Sequence, residues 1–450
     1  MDINKGICGF VWGGVFMKII SSKIDKETKR VLINLLNLSF VKFFTYLIPL
    51  ITIPYIIRRI GLAKFGVISL AQALSVYFNL LFNFGVGLIG PKEVSLGVDD
   101  KIKLNDILTQ IYSAKFILFF VSLIFFFLSI FVFPFVRENI LLFWLFFIST
   151  FLFSVFPSWF FIGIQRSDYI TIINTPFSIL SAIFIFILIK KPEDFMLIPV
   201  ISIFGGGIIS LIGLYIVVFK YKIRFSIVSF KKGFKLIKRL FPFFLSRLSI
   251  NFYTSTGTII LGVFLNSEVV GKFAIADKVV KLLKDIFSPL YDATLPFFTK
   301  LFHEDVKRGK RKLNQFLGFG SLINFFIISF VIIFRKFIII FFSGGVNFVS
   351  EISLILLSII IFFVYPSVII GRNALIPLGM EKEFNVSIIK GAFTYFIIIS
   401  SLFIAKQILG LSEIVVLVWV LIASIVSEIV IFSSRYYNYH KVVANVGKKT

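Results

Sequence analysis

The chain has 450 residues, of which 58% are hydrophobic and only 15% charged, against about 25% charged in an average soluble domain. Mean hydropathy is +1.00 and the formal net charge is +25, with one cysteine and two histidines. This excludes a soluble enzyme, a disordered chain and a secreted disulfide scaffold: Cys8 alone forms no internal disulfide or Cys-based metal site, and His303 and His440 leave almost no material for histidine catalysis or metal ligation.

The apolar residues fall in long runs, and residues 116–134 and 352–365 carry no charge at all. About 20 such residues cross some 30 Å of hydrocarbon as a helix, while a β-barrel would alternate polar and apolar residues. The fold class expected is an all-α integral membrane protein. Twelve spans are predicted, near 33–57, 65–89, 107–135, 139–163, 170–189, 195–219, 242–264, 272–299, 314–334, 349–370, 386–405 and 413–433.

Residues 1–32 read as a cytoplasmic N-terminal segment. Its apolar stretch 7–16 is too short to span, and no small-residue cleavage site follows it before the basic stretch. It either lies flat on the membrane or precedes a start at Met17. Span 1 carries Lys42, and span 2 carries Gln72, Asn79 and Asn83. Lys115 in span 3 and Lys390 in span 11 stand nearer span ends, where long side chains can snorkel to the cytoplasm. Prolines within or near span ends, such as Pro49, Pro54, Pro157 and Pro366, mark kinks or flexing points.

The basic linker 220–241 divides the spans six and six. An N-lobe over 33–219 and a C-lobe over 242–433 are therefore expected, with a cytoplasmic tail over 434–450. The sequence Lys64-Phe65-Gly66 opening span 2 is echoed by Lys272-Phe273-Ala274 opening span 8. Six spans return the chain to the same side, so such a repeat would have its pseudo-two-fold axis along the membrane normal, and paired halves of this kind hold a site near the midplane. Counted alternately by side, the chain ends and even-numbered loops hold 30 Lys and Arg, the odd-numbered loops 9. The positive-inside rule puts both termini and the richer side in the cytoplasm. The basic runs 231–239 and 307–312 then read as orientation signals touching anionic membrane lipid, not as a nucleic-acid site.

Ionisable residues in hydrocarbon cost at least about 2.5–3.5 kcal/mol each at mid-span and so demand a reason. Span 8 has the densest set: Asp277, Lys281, Lys284, Ser288 and Asp292 share one helix face, an arc of roughly 80°. Span 7 offers a polar face with Arg247, Asn251, Thr254, Ser255 and Thr258. Such stripes either fix helix packing or line a wet, cationic cavity; four turns of polar face favour the cavity.

Several blocks then resemble a known family. Residues 47–55 (Leu-Ile-Pro-Leu-Ile-Thr-Ile-Pro-Tyr) with 60–66 (Ile-Gly-Leu-Ala-Lys-Phe-Gly), Pro157-Ser158-Trp159 with Gly163, 251–254, 270–278 and 372–379 are similar, in order, to segments of the O-antigen (Wzx-type) polysaccharide flippases of the multidrug/oligosaccharidyl-lipid/polysaccharide exporter superfamily. The chain departs from that pattern at Ile162, Gln165 and residues 84–88, so no polar role is carried over there. The resemblance implies a non-enzymatic carrier with no cofactor that moves a lipid-linked oligosaccharide, usually on undecaprenyl pyrophosphate, across the inner membrane. It implies two lobes in alternating access, coupling to H+ or Na+, and polysaccharide polymerase machinery as a possible partner. Lys42, Arg247, Lys281 and Lys284 are expected to face the anionic headgroup. Asn79, Asn83, Asn251 and Thr254 are expected to bond sugar hydroxyls, and Asp277 and Asp292 to pair with cations or couple an ion. A multidrug exporter of the same superfamily would need acids facing its cationic drugs, and span 1 has none. A polymerase or glycosyltransferase would need a large external loop, and the longest external connector, 335–348, is short and has no acid or histidine within 335–348.

Overall fold

The computed structural model describes residues 26–223 and 229–447; side chains are described for 47–223 and 229–442 except residues 286, 289 and 293. The segment assigned to 1–32 therefore lies almost wholly outside the described residues, as does the side chain of Lys42. No strand occurs among the described residues. The helices are α1 (Lys26–Asn83), α2 (Val86–Ser95), α3 (Lys101–Val132), α4 (Pro134–Glu138), α5 (Ile140–Val155), α6 (Ser158–Gly163), α7 (Asp168–Leu188) and α8 (Leu197–Tyr215). After the linker come α9 (Phe230–Phe264), α10 (Ser267–Ile286), α11 (Ser288–Glu304), α12 (Val306–Ile333), α13 (Arg335–Ser343), α14 (Phe348–Ile370), α15 (Glu381–Leu409) and α16 (Glu413–Gly447).

Local chemistry sets many of these boundaries. Asp100, Asn266, Asp305 and Asn347 each accept a hydrogen bond from the backbone N–H three residues on, at 3.0, 3.0, 3.0 and 2.8 Å, which satisfies an orphan donor of the first turn. Nine helical stretches among the described residues are long and apolar enough to cross a bilayer. One of them, Leu47–Ser95, is 49 residues, far beyond one crossing. It is divided at Gly61 (φ 80°, ψ 165°), a conformation open to glycine, into two arms of α1. Charge keeps α10 out of the nine, and Arg247 with the Asn, Ser and Thr residues of 249–258 keeps α9 out, although 20 and 35 residues make them long enough.

The helices extend past the segments read from hydropathy. Residues 230–239 of the expected linker already form the basic start of α9, and α16 runs on through the expected tail. The predicted eighth span, 272–299, is in fact two helices that meet at Phe287. Pro289, in the first turn of α11, has no N–H to continue the ladder of α10.

Two ends of the bundle can be told apart. At the basic end, Arg239 pairs with Glu93 at 2.6 Å and Lys232 with Asp106 at 2.5 Å. At the far end, the Tyr55 hydroxyl donates to the Ile189 carbonyl at 2.8 Å, Arg58 to Phe341 at 2.9 Å and Asn266 to Glu413 at 3.4 Å. Here the second arm of α1 presses directly on α10. A methyl on Gly66 would sit 1.8 Å from the Ser267 carbonyl oxygen, and one on Gly271 2.1 Å from that of Leu62. The two corners that echo each other in sequence are thus in backbone contact. Further along the same crossing, Lys278 Nζ donates to Gln72 Oε1 at 2.7 Å and lies 5.8 Å from the Phe65 ring. The Tyr77 hydroxyl reaches α9 at the Asn251 carbonyl (3.2 Å) and Thr256 Oγ1 (2.5 Å).

Aromatic packing fills the interior: Phe82 and Phe147 are fully buried with ring centroids 5.4 Å apart, and Phe126 is 5.3 Å from Phe147. Outward faces remain apolar as well, with Phe325, Phe326, Phe330 and Ile333 of α12 all exposed. So much exposed hydrocarbon marks a surface solvated by lipid.

Glycine at the far-end crossing is required by contact, not by helix preference. Gly66→Ala or Gly271→Ala is expected to cost about 1–3 kcal/mol of overpacking strain and to lower the unfolding temperature of the purified protein. Gly318→Ala, where no atom lies within 4 Å, should leave it unchanged or raise it.

Candidate functional site

Four of the residues expected at a substrate site come together. Asn79 and Asn83 on the second arm of α1 face Arg247 and Asn251 on α9 across a cavity of about 340 Å³. Its described lining holds no carboxylate. The Arg247 side chain is exposed to this space and has no acid partner among the described residues. Asn79 and Asn83 lie 13 and 17 residues beyond Gly66, which at a helical rise of 1.5 Å sets the cavity about 20–25 Å from the far-end contact, on the basic side. Asn251 is oriented by its own helix, donating to the Arg247 carbonyl at 2.9 Å.

Three other expected residues line a second, small cavity. Thr254 (α9), Asp277 and Lys284 (α10) meet Glu428 and Ser424 (α16) around about 40 Å³, room for about two water-sized occupants. The stripe of the eighth span therefore has a hollow beside it for part of its length. Lys281 donates to Asp277 at 2.7 Å and is itself exposed. The stripe does not continue as one face: beyond the break at Phe287, Asp292 belongs to α11 and pairs with Arg372 at 2.6 Å. Asp292 does not line the small cavity that Asp277 and Lys284 share.

Lys115 also differs from expectation. It does not snorkel to the surface but is only 3% exposed. Its Nζ donates to Asn83 Oδ1 at 3.0 Å, to the Ser154 carbonyl at 2.7 Å and to the Phe82 carbonyl at 3.4 Å. These three oxygens stand in for water around a buried cation.

Two interior charges were missed. Glu428 is 6% exposed and is the single charged residue between 414 and 434; the cost of an isolated acid in an apolar run was the available signal. It attracts Lys284 across the small cavity. Arg435, read as part of a tail, is 5% exposed. It donates to Ser387 Oγ at 3.0 Å and to the Ser367 carbonyl at 3.0 Å, and it stacks 4.5 Å from the Phe384 ring. No sequence signal separates it from a solvated tail, because only the continuation of α16 brings it between α14 and α15.

Removing one member of a buried pair of opposite charge typically costs about 3–5 kcal/mol, whereas removing both can be neutral. Glu428→Ala is therefore expected to lower the unfolding temperature sharply, and adding Lys284→Met should restore most of the loss. A double mutant no more stable than Glu428→Ala would show that the two charges do not compensate each other.

Comparison with known proteins agrees with this architecture. Residues 31–302 match the family described as "Polysaccharide biosynthesis protein". A protein of Escherichia coli (strain K12), provisionally named an O-antigen transporter, is 24% identical over 357 residues, covering 78% of this chain and 85% of that protein. Among solved structures, an inward-facing multidrug resistance MATE family transporter of the MOP superfamily superposes with a TM-score of 0.67 at 15% identity, covering 90% of this chain and 96% of that one. The lipid II flippase MurJ in an inward closed conformation gives a TM-score of 0.65 at 15% identity, covering 89% and 86%. The structural likenesses establish a shared fold, and the family match spans more than half of the sequence. The chain belongs to the polysaccharide biosynthesis protein family.

Proposed function

We propose that this protein is an inner-membrane flippase, a transporter and not an enzyme, that carries a lipid-linked oligosaccharide on undecaprenyl pyrophosphate to the outer leaflet for O-antigen or another surface polysaccharide. The observation that carries this reading is the cavity of about 340 Å³ in which Arg247 stands with Asn79, Asn83 and Asn251 and no described carboxylate. A pyrophosphate does not cross hydrocarbon bare, and an exposed guanidinium offers it charge-assisted hydrogen bonds in place of water. The amides suit sugar hydroxyls. Lys42 belongs to the first arm of α1 and is assigned to the same anionic headgroup.

The basic end, which holds the richer set of Lys and Arg, is assigned to the cytoplasm, with both termini there. The cavity lies on that side of the Gly66–Gly271 contact. We read the described conformation as that of a carrier closed toward the outside. In the mechanism proposed, the two lobes, 33–219 and 242–433, part at that contact and close at the basic end, so that the headgroup changes sides without meeting lipid.

Ion coupling, by H+ or Na+, is assigned to the small cavity. Asp277 is assigned to it together with Glu428, with Lys281 and Lys284 balancing their charge. Asp292, paired with Arg372, is assigned the structural task of tying α11 to the π-helical turn Gly371–Leu375. The balance of charge in this cavity disfavours a cationic drug as substrate. A multidrug exporter would present acids without matching lysines.

A hydrogen bond to a charged group is worth about 1.5–3 kcal/mol, so Arg247→Gln should slow transbilayer movement of undecaprenyl-pyrophosphoryl-N-acetylglucosamine in proteoliposomes about tenfold or more. The check is initial flipping rate at matched protein incorporation. A wild-type rate in the variant removes Arg247 from the mechanism, and drug efflux without lipid movement in the wild type transfers the protein to the multidrug reading.

A further inference from the structure

A third cavity, of which the sequence marked only Gln72, Asn79 and Asn83, adjoins the first. It measures about 510 Å³, within the range of small-ligand sites. It lies between the second arm of α1, α5 and α8, and it shares Val76, Asn79 and Asn83 with the Arg247 cavity. Its described lining carries no charge.

The chemistry of this recess differs from that of its neighbour. Ser149 donates to the Phe146 carbonyl at 3.1 Å, Thr150 to the same carbonyl at 2.7 Å and Ser154 to the Phe151 carbonyl at 2.7 Å. With their protons committed to their own helix, these hydroxyls present oxygen lone pairs to the space. The amides are ordered from below. Lys115 Nζ has donors only, so Asn83 must turn Oδ1 toward it, at 3.0 Å. The Asn83 amide group then donates to the Asn79 side chain and to its carbonyl at 3.2 Å, which leaves the Asn79 amide hydrogens for a ligand. A phosphate, which only accepts, finds few donors here and stays with Arg247. A polyol, which donates as well as accepts, finds partners throughout.

Resting on the flippase reading above, we propose that this recess is the glycan subsite: it binds uncharged sugar hydroxyls of the translocated lipid while Arg247 holds the adjoining phosphate. Selection among substrates by their sugars then resides in α5 and the second arm of α1, and recognition common to all pyrophosphate-linked lipids resides across the cavity on α9.

The test is equilibrium binding to the full-length protein in nanodiscs, with two probes, undecaprenyl pyrophosphate and undecaprenyl-pyrophosphoryl-N-acetylglucosamine. Wild type is expected to bind the glycosylated probe roughly tenfold tighter than the bare one. Thr150→Phe, which fills the recess, and the near-isosteric pair Ser149→Ala with Thr150→Val should each erase most of that ratio and leave affinity for the bare probe within about twofold. The isosteric pair keeps the test valid if the larger side chain disturbs folding. Arg247→Gln should weaken both probes alike. Variants that keep the full ratio, or a wild type that binds both probes equally, overturn the glycan subsite while the flippase reading stands. A wild type that binds neither probe overturns both.

Discussion

The structure depends above all on the cost of leaving a charge or polar group unpartnered in hydrocarbon. Each interior ion has found a different escape from it. Lys115 is wrapped by two carbonyls and an amide oxygen, and Lys278 crosses to Gln72 and the Phe65 ring. Arg435 is held by Ser387, Ser367 and the face of Phe384. Lys281 takes Asp277 on its own helix, while Lys284 and Glu428 share a small polar cavity. Arg247 is the contrast. It stands exposed in an open cavity with amides beside it and no acid partner among the described residues. Among the described interior cations most are spent on structure, whereas Arg247 faces an open cavity and is available to a ligand.

The same constraint divides the interior by chemistry. A cavity with one guanidinium and three amides, a small cavity with balanced acids and lysines, and an uncharged recess of hydroxyls and amides lie within a few helical turns of one another. On the function proposed above, they offer separate places for an anionic group, a coupling cation and a sugar. A substrate that is hydrocarbon at one end, doubly anionic in the middle and a polyol at the other end needs different solvents along its length. The far-end contact, in which Gly66 and Gly271 bring backbone against backbone, closes these spaces on one side. In the mechanism proposed above this is the contact that opens and recloses, and a backbone surface has few side chains to repack when it separates.

Much of the fold was legible because membrane helices obey a simple rule. A run of apolar residues long enough to cross the bilayer must be helical, since no water satisfies its backbone there. Span 2 could be named from that rule, and Asn79, Asn83, Arg247 and Asn251 stood out as the polar residues within the predicted spans. What misled was the assumption of continuous helices. Asp292, on the far side of the junction at Phe287, pairs with Arg372 and does not join Asp277 at the small cavity, and Lys115 does not snorkel because α5 supplies the Ser154 carbonyl to it. Glu428 and Arg435 were passed over because each lies far in sequence from the helices that surround it.

The sequence by itself determined the all-helical membrane class, the rough placement of most apolar segments, and which residues could not rest in lipid without a reason. Those properties follow from composition and from the one-dimensional spacing of a helix. Only the tertiary structure decided which polar residues share a cavity, which cations are neutralised, and where the two halves touch. Partnership across 174 residues, as between Tyr77 and Asn251, depends on how helices cross, and nothing local to either segment records it.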